Sequence, residues 1–203
     1  YLRFIEESGV RLMSILNNLL DLSKLEAGKM VFEIRQDRFG DVIRTAAKEF
    51  EGIFTEQGRI LNIDFDKSAT DAYFDLNRML QVMRNLISNA LRYSDAGSPV
   101  DVRCYKEDLG VKINEREMKL PDLAVEVSDK GVGIPKDEQA KIFEKFVQSS
   151  KTDTGAGGTG LGLPICVEII KAHSGKIVAF DNDGQGTTFK FVIPAVDVKV
   201  LKG

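Results

Sequence analysis

DLNRMLQVMRNLISNALRY, residues 75–93, is the stretch that decides the fold. At about 100° per residue, Leu76, Met79, Leu80, Met83, Leu86, Ile87, Ala90 and Leu91 share one face of a helix, and Gln81, Asn85, Asn89 and Arg92 share the opposite one. Asp75 stands where a side-chain oxygen can cap the first turn, so the spacing predicts a helix from Leu76 to Arg92 with one face on a core. Asn is a poor residue inside a helix. Two of them one turn apart, with Arg92 and Tyr93 at the exit, suit a face whose amides meet a cation and whose guanidinium meets phosphates. A solvated helix face is the competing reading of the same residues.

Upstream of this helix, Ala72–Phe74 and Arg59–Phe65 read as strands, Phe39–Gln57 as an amphipathic helix and Met30–Gln36 as an alternating strand. Residues 1–28 set Leu2, Ile5, Leu12, Ile15, Leu16, Leu19, Leu22 and Leu25 along one stripe of a long helix that Ala27-Gly28-Lys29 ends. Alone that stripe is greasy, so it calls for partner helices, most simply in a dimeric bundle; packing on its own domain is the alternative. Downstream, a strand over Val100–Tyr105 leads into a polar stretch, Lys106–Leu120, that reads as an exposed, extended hairpin loop before a strand over Leu123–Ser128. A short helix over Lys136–Phe146, a small and glycine-rich mobile loop over Ser149–Gly160, a helix over Leu161–His173 and strands over Lys176–Asp181 and Thr187–Pro194 follow. Without regular β-α-β alternation the expected class is α+β, a two-layer α/β sandwich preceded by one long amphipathic helix. The expected division is residues 1–29 for that helix, 30–196 for the main domain and 197–203 for a tail.

Two glycine-rich segments add candidate chemistry. At Asp129-Lys130-Gly131-Val132-Gly133-Ile134-Pro135 a carboxylate at a strand end can accept from an exocyclic amine, and the glycines let backbone approach a flat base; the same residues also make an ordinary turn. Gly158-Thr159-Gly160-Leu161-Gly162-Leu163 precedes an apolar helix, whose N-terminal amides and dipole attract anions. It follows no strand and lacks the Lys-Ser or Lys-Thr ending, which excludes the dinucleotide fold and the usual P-loop.

Composition removes other classes. A net charge of −3 provides no basic footprint for nucleic acid. No apolar run approaches the roughly 18 to 20 residues that span a bilayer. Cys104 and Cys166 lie far apart with no Cys or His at ligand spacing, which predicts free thiols rather than zinc or a disulfide. Tyr1 opens in mid-helix pattern, so an excised piece of a longer chain is expected.

Five motifs in this order are jointly specific: Asn85-Leu-Ile-Ser-Asn89-Ala-Leu-Arg92-Tyr93; Asp129-Lys-Gly131-Val-Gly133-Ile-Pro; Ile142-Phe-Glu-Lys-Phe146; Gly158-Thr-Gly160-Leu-Gly162-Leu163; and Gly186-Thr187-Thr-Phe189. Together they resemble the sensor histidine kinase branch of the superfamily that also holds gyrase, the heat-shock chaperone ATPases and the mismatch-repair ATPases. Leu19–Gly28 resembles the end of that family's dimerisation hairpin. The resemblance implies a Bergerat-type ATP-binding fold and Mg²⁺-ATP as cofactor. It implies Asn89 on the metal with Asn85 beside it, Arg92 on phosphate and Tyr93 against adenine. Asp129 would read the adenine amine, Gly131 and Gly133 would admit the base, Ile134 would join the ATP-binding set, and Thr187 would support Asp129. Residues 147–160 would form a lid hinged at Gly158, Thr159, Gly160, Leu161, Gly162 and Leu163.

The hydrolytic relatives carry a general-base glutamate where this chain has Asn85, and an amide takes no proton, so transfer to a histidine is favoured over hydrolysis. Gln148 stands where some members place an arginine, with Lys145 or Lys151 as substitutes for a γ-phosphate contact, and Lys130 stands where asparagine is commoner. The single histidine, His173, reads as a structural turn residue at a helix C-terminus that favours a partly positive ring, so the acceptor is expected upstream of Tyr1. The implied partners are the chain's own hairpin in a homodimer and a response-regulator receiver domain. No nucleic acid and no direct membrane contact are expected of this cytoplasmic portion of a membrane-associated sensor. An ATP-gated module without phosphotransfer and an anti-sigma-type serine kinase are the alternatives.

Overall fold

Val100, Val102 and Cys104 alternate with Asp101 and Arg103, and Leu123, Val125 and Val127 are buried on the neighbouring strand, so this pair turns one apolar face inward. The computed structural model describes residues 2–65, 70–113, 116–152, 158–182 and 185–197. Its elements are α1 (Leu2–Glu26), β1 (Arg35–Arg38), α2 (Phe39–Glu56), β2 (Leu61–Phe65), β3 (Asp71–Phe74), α3 (Leu76–Tyr93), β4 (Val100–Ile113), β5 (Arg116–Ser128), α4 (Gly162–Ala172), β6 (Lys176–Asp181) and β7 (Thr187–Pro194). A five-stranded sheet runs β2-β4-β5-β7-β6, parallel only between β2 and β4, and β1 pairs with β3 in a separate ribbon. Helices α2, α3 and α4 cover one face, which gives the two-layer α/β sandwich expected from the element pattern.

The α3 stripe lies at the centre of this core. Met79, Met83, Leu86 and Ile87 are fully buried, and each such side chain contributes roughly 1.5–3 kcal/mol over an exposed one. Asp75 caps the helix as expected, its Oδ1 accepting from the Arg78 N–H at 3.1 Å. Val82 is equally buried, so the apolar face is wider than the periodicity implied.

Four expectations change. Of the alternating stretch Met30–Gln36, only its end is strand, because β3 offers partners to Arg35–Arg38 alone. The polar stretch Lys106–Leu120 is not a loop: β4 and β5 continue through it as an antiparallel ladder from Lys106↔Leu123 to Ile113↔Arg116. Cross-strand backbone bonds satisfy these residues, so the neighbouring strand rather than their composition sets their state. In place of a helix over Lys136–Phe146 there are turns anchored on the Pro135 carbonyl and a single 3₁₀ turn, Lys141–Phe143. The ring of His173 is not partly positive. It is buried, and desolvation holds its pKa below the ordinary value despite the helix end.

Of the two alternatives for α1, packing on its own domain holds for the end of the helix. Leu22 and Leu25 are buried against the main domain, where α1 lies on α4. Asp21 accepts from Gln81 Nε2 at 3.0 Å and pairs with Arg78 at 3.4 Å. Leu12, Met13, Leu16, Leu19 and Leu20 stay exposed. Among the described residues no helix is long and apolar enough to cross a membrane, and both cysteines are free and buried.

Candidate functional site

Asp129 directly follows β5 and is held by backbone on both sides. Its N–H donates to the Thr187 carbonyl at 2.9 Å. Oδ1 accepts from the Gly131 N–H at 2.8 Å and from the Thr187 N–H at 3.3 Å. Among the described residues Oδ2 takes no hydrogen bond, so one oxygen of a 5% exposed carboxylate is left for a ligand. Burial pushes the carboxyl up to about 6, opposed by the Gly131 and Thr187 N–H groups. A buried acid displaced in this way, with one oxygen left over, marks a candidate binding site.

The turn after Asp129 lies against the exit of α3. Ser94 bridges Gly131, the Val132 N–H donates to the Tyr93 carbonyl at 3.3 Å, and a Cβ at residue 131 would collide with that carbonyl. Only glycine lets the two backbones approach so closely. Ile134 is buried, and its N–H reaches Asp181 Oδ1 at 3.4 Å; Gly133 follows the same turn with φ +70°.

The polar face of α3 forms the next wall. Among the described residues the half-buried Asn89 amide makes no hydrogen bond, and the exposed Arg92 guanidinium has no carboxylate partner. Asn85 is occupied: its Nδ2 donates to the Gly162 carbonyl at 3.2 Å and to Cys166 Sγ at 3.6 Å, tying α3 to the start of α4. Gln148 Nε2 donates to the Gly158 carbonyl at 2.7 Å, and a Cβ on Gly158 would lie 3.0 Å from Tyr93 Oη and 3.3 Å from Arg92 Nη1. Arg92, Tyr93, Gln148 and Gly158 therefore meet.

At α4, the Leu161 N–H is taken by Thr159 Oγ1 at 3.3 Å and Pro164 has none, so Gly162 and Leu163 carry the free donors of the first turn among the described residues. Gly160, at φ +66°, passes so near Phe146 that a Cβ would lie 2.7 Å from its Cα, and its carbonyl accepts from the Phe146 N–H at 3.0 Å. Phe146 itself holds φ 63° and is exposed. The expected lid, residues 147–160, is described only in part; residues 153–157 lie outside the described residues. Of the other γ-phosphate candidates, Lys145 pairs with Glu26 of α1 at 2.6 Å, and Lys151 Nζ donates to the Val132 carbonyl at 3.1 Å.

Sequence reasoning missed Asn182, whose Nδ2 donates to the Asp129 carbonyl at 2.7 Å while Oδ1 accepts from Thr188. No local pattern marks it, since its partner lies on another strand. Among the described residues no group of three His, Cys, Asp or Glu could cage a metal. Any divalent ion here would be held by Asn89 together with ligand oxygens, an arrangement that suits magnesium, which keeps phosphate and water ligands.

Comparison with known proteins bears on the family and the fold. Residues 74–197 match the family described as histidine kinase-, DNA gyrase B- and HSP90-like ATPase. The chain is 31% identical over 202 residues to the circadian input-output histidine kinase CikA of Synechococcus elongatus, covering 96% of this chain and 24% of that protein. It is 33% identical to the autoinducer 2 sensor kinase/phosphatase LuxQ of Vibrio parahaemolyticus (95% of this chain, 22% of the relative) and to the sensor histidine kinase WalK of Bacillus subtilis (96% and 30%). It thus spans at most 30% of the length of these three relatives. Among solved structures, full-length ShkA in complex with AMPPNP superposes with a TM-score of 0.76 at 27% identity, covering 96% of this chain and 38% of that one. The histidine kinase ThkA in complex with the response regulator TrrA superposes at 0.73 with 26% identity, covering 97% and 51%.

Proposed function

The chain belongs to the histidine kinase-, DNA gyrase B- and HSP90-like ATPase family, and from that premise we propose that it is the ATP-loading portion of a sensor histidine kinase in a two-component system. The observation that carries this reading is the Asp129 carboxylate, pinned through Oδ1 by two N–H groups and leaving Oδ2 free beside a glycine turn. A buried acceptor of this kind reads the exocyclic amine of adenine, and it rejects guanine, which presents an oxygen there. Tyr93 lies along the base, and Arg92 with the Gly162 and Leu163 amides meets the phosphates. Asn89 would hold Mg²⁺, which supplies charge neutralisation between phosphate oxygens. ShkA, solved in complex with the ATP analogue AMPPNP, supports nucleotide binding by this chain.

Asn85 is engaged with α4 and, as an amide, activates no water. The γ-phosphoryl is therefore passed to an imidazole nitrogen: the bond between phosphorus and the bridging oxygen of ADP breaks, a phosphorus–nitrogen bond forms and ADP leaves with the electron pair. His173 is not that nucleophile. It is buried, with Nε2 accepting from the Asp75 N–H at 3.0 Å and Nδ1 donating to the Ile169 carbonyl at 2.7 Å. The acceptor belongs to a dimerisation hairpin of which α1 is the second helix, and the exposed leucines of α1 suit a helical partner in a homodimer. A response-regulator aspartate receives the phosphoryl group next, in line with ThkA solved with its regulator. This portion works in the cytoplasm.

Incubating the chain with radiolabelled ATP, Mg²⁺ and a longer chain that carries the complete hairpin but an Asp129→Asn change tests the proposal. Acid-labile, base-stable phosphate on the longer chain is expected, and only when the unsubstituted chain is added, at an ATP concentration too low for the longer chain to label itself. Acid-stable phosphoserine, or ATP binding with no transfer, would overturn it.

A further inference from the structure

Arg59 lies outside the pocket, between the end of α2 and the start of β2, and none of the motifs includes it. Its N–H closes α2 on the Phe54 carbonyl at 2.9 Å, and its half-buried side chain then turns toward the exit of α3. Nη1 donates to the Leu91 carbonyl at 2.9 Å and to Ser94 Oγ at 2.8 Å, and Nη2 donates to the Ser94 carbonyl at 3.0 Å. Ser94 Oγ in turn donates to the Ala90 carbonyl at 2.5 Å. Among the described residues no carboxylate lies within ion-pair distance of this guanidinium. Its charge is therefore directed at the negative end of the α3 dipole and at orphan carbonyls of the last turn.

The residues enclosed by these bonds are Arg92 and Tyr93, and Ser94 is the residue that bridges Gly131. A connected path runs from Arg59 through Ser94 to Gly131, whose N–H sets Asp129 Oδ1. Resting on the ATP-binding reading above, we propose that Arg59 is a positioning residue for nucleotide binding, acting through the α3 exit to hold Tyr93, Arg92 and the Gly131 turn in register with one another. The planar fork is what the site uses. One guanidinium reaches three acceptors on two residues, and a single ammonium cannot span them in the same geometry.

The test compares Arg59→Met and Arg59→Lys with Ile43→Val, a buried α2 change that lowers stability away from the exit. Backbone amide spectra of the nucleotide-free chain, and titrations with ATP and with adenosine, are read for each. Arg59→Met is expected to shift the Tyr93, Ser94 and Gly131 amides and to weaken both ligands at least tenfold. Arg59→Lys restores less than half of the lost affinity on a logarithmic scale, and Ile43→Val leaves both dissociation constants unchanged. If Arg59→Met fails to fold, the lysine variant carries the comparison. Unmoved Gly131 resonances, unchanged affinity in a folded variant, or full rescue by lysine would overturn the positioning role. Failure of the parent chain to bind ATP would sink the functional reading instead, and the amide shifts would still decide whether Arg59 sets the turn.

Discussion

Asp129→Asn separates what this carboxylate does for a ligand from what it costs the fold. Burial moves the carboxyl from 3.8 up to about 6, against the pull of the Gly131 and Thr187 N–H groups. At about 1.4 kcal/mol per pKa unit, a shift of roughly two units means that keeping the group ionised costs ~3 kcal/mol of folding stability at neutral pH. Because the folded value lies above the unfolded one, stability is highest below the unfolded value and is lost as pH rises through about 6. Asn has nearly the same shape, keeps an oxygen for both N–H donors and carries no charge to desolvate. The variant should therefore be more stable than the parent by ~2–3 kcal/mol above pH 7, with the gain shrinking toward zero near pH 4. Its amide nitrogen, however, replaces Oδ2 and presents a donor to the adenine amine. Losing a charge-assisted hydrogen bond worth about 2 kcal/mol lowers adenine-nucleotide affinity by roughly 30-fold. Urea melts at pH 8, 6 and 4, run beside nucleotide titrations at pH 8, check both halves. A variant no more stable than the parent at pH 8, or a gain independent of pH, refutes the desolvation argument. Unchanged affinity refutes the pocket.

Gly160→Ala puts a Cβ 2.7 Å from the Phe146 Cα at φ +66°, so a loss of ~1–3 kcal/mol is expected in thermal melts. An unchanged Tm would show that the hinge has room. His173→Phe leaves the buried Asp75 N–H without its acceptor and should cost ~1–3 kcal/mol at pH 8. Burial depresses the His173 pKa, so its contribution is present above the ordinary histidine range and lost as pH falls; the cost of the substitution should be smaller at pH 5 than at pH 8 in paired urea melts. Leu22→Ala, at a buried position, should speed hydrogen exchange in the last turns of α1 by at least tenfold, whereas Leu12→Ala, at a 58% exposed position, leaves those turns unaffected. Equal protection in the two variants would mean that α1 does not rest on Leu22.

The residues that can carry chemistry were legible because the signals are short in range. Asn85, Asn89, Arg92 and Tyr93 lie on one helix whose period and cap are written within 19 consecutive residues. Strands β6 and β7 have the expected limits because Ser174-Gly175 precedes β6 and Gly186 precedes β7, and such residues end strands. Reading failed where a segment's state depends on a distant partner. Residues 30–34 alternate as well as many strands do yet join no strand ladder among the described residues, whereas Lys106–Ile113 is strand because Arg116–Leu123 lies beside it. Composition carries the cost of burying a side chain but not the presence of a neighbouring ladder.

By itself, then, the sequence determined which groups are available: two amides on a helix face, a carboxylate at a strand end, and glycines where backbone must pass close. Only the tertiary structure decided how each is used. It leaves Oδ2 of Asp129 free by spending Oδ1 on residues 2 and 58 positions away, commits Asn85 to Gly162 across 77, and places Lys145 on Glu26 across 119. Periodicity is a property of neighbours along the chain, but the last hydrogen bond a side chain makes is set by which distant backbone the packed core brings within three ångströms.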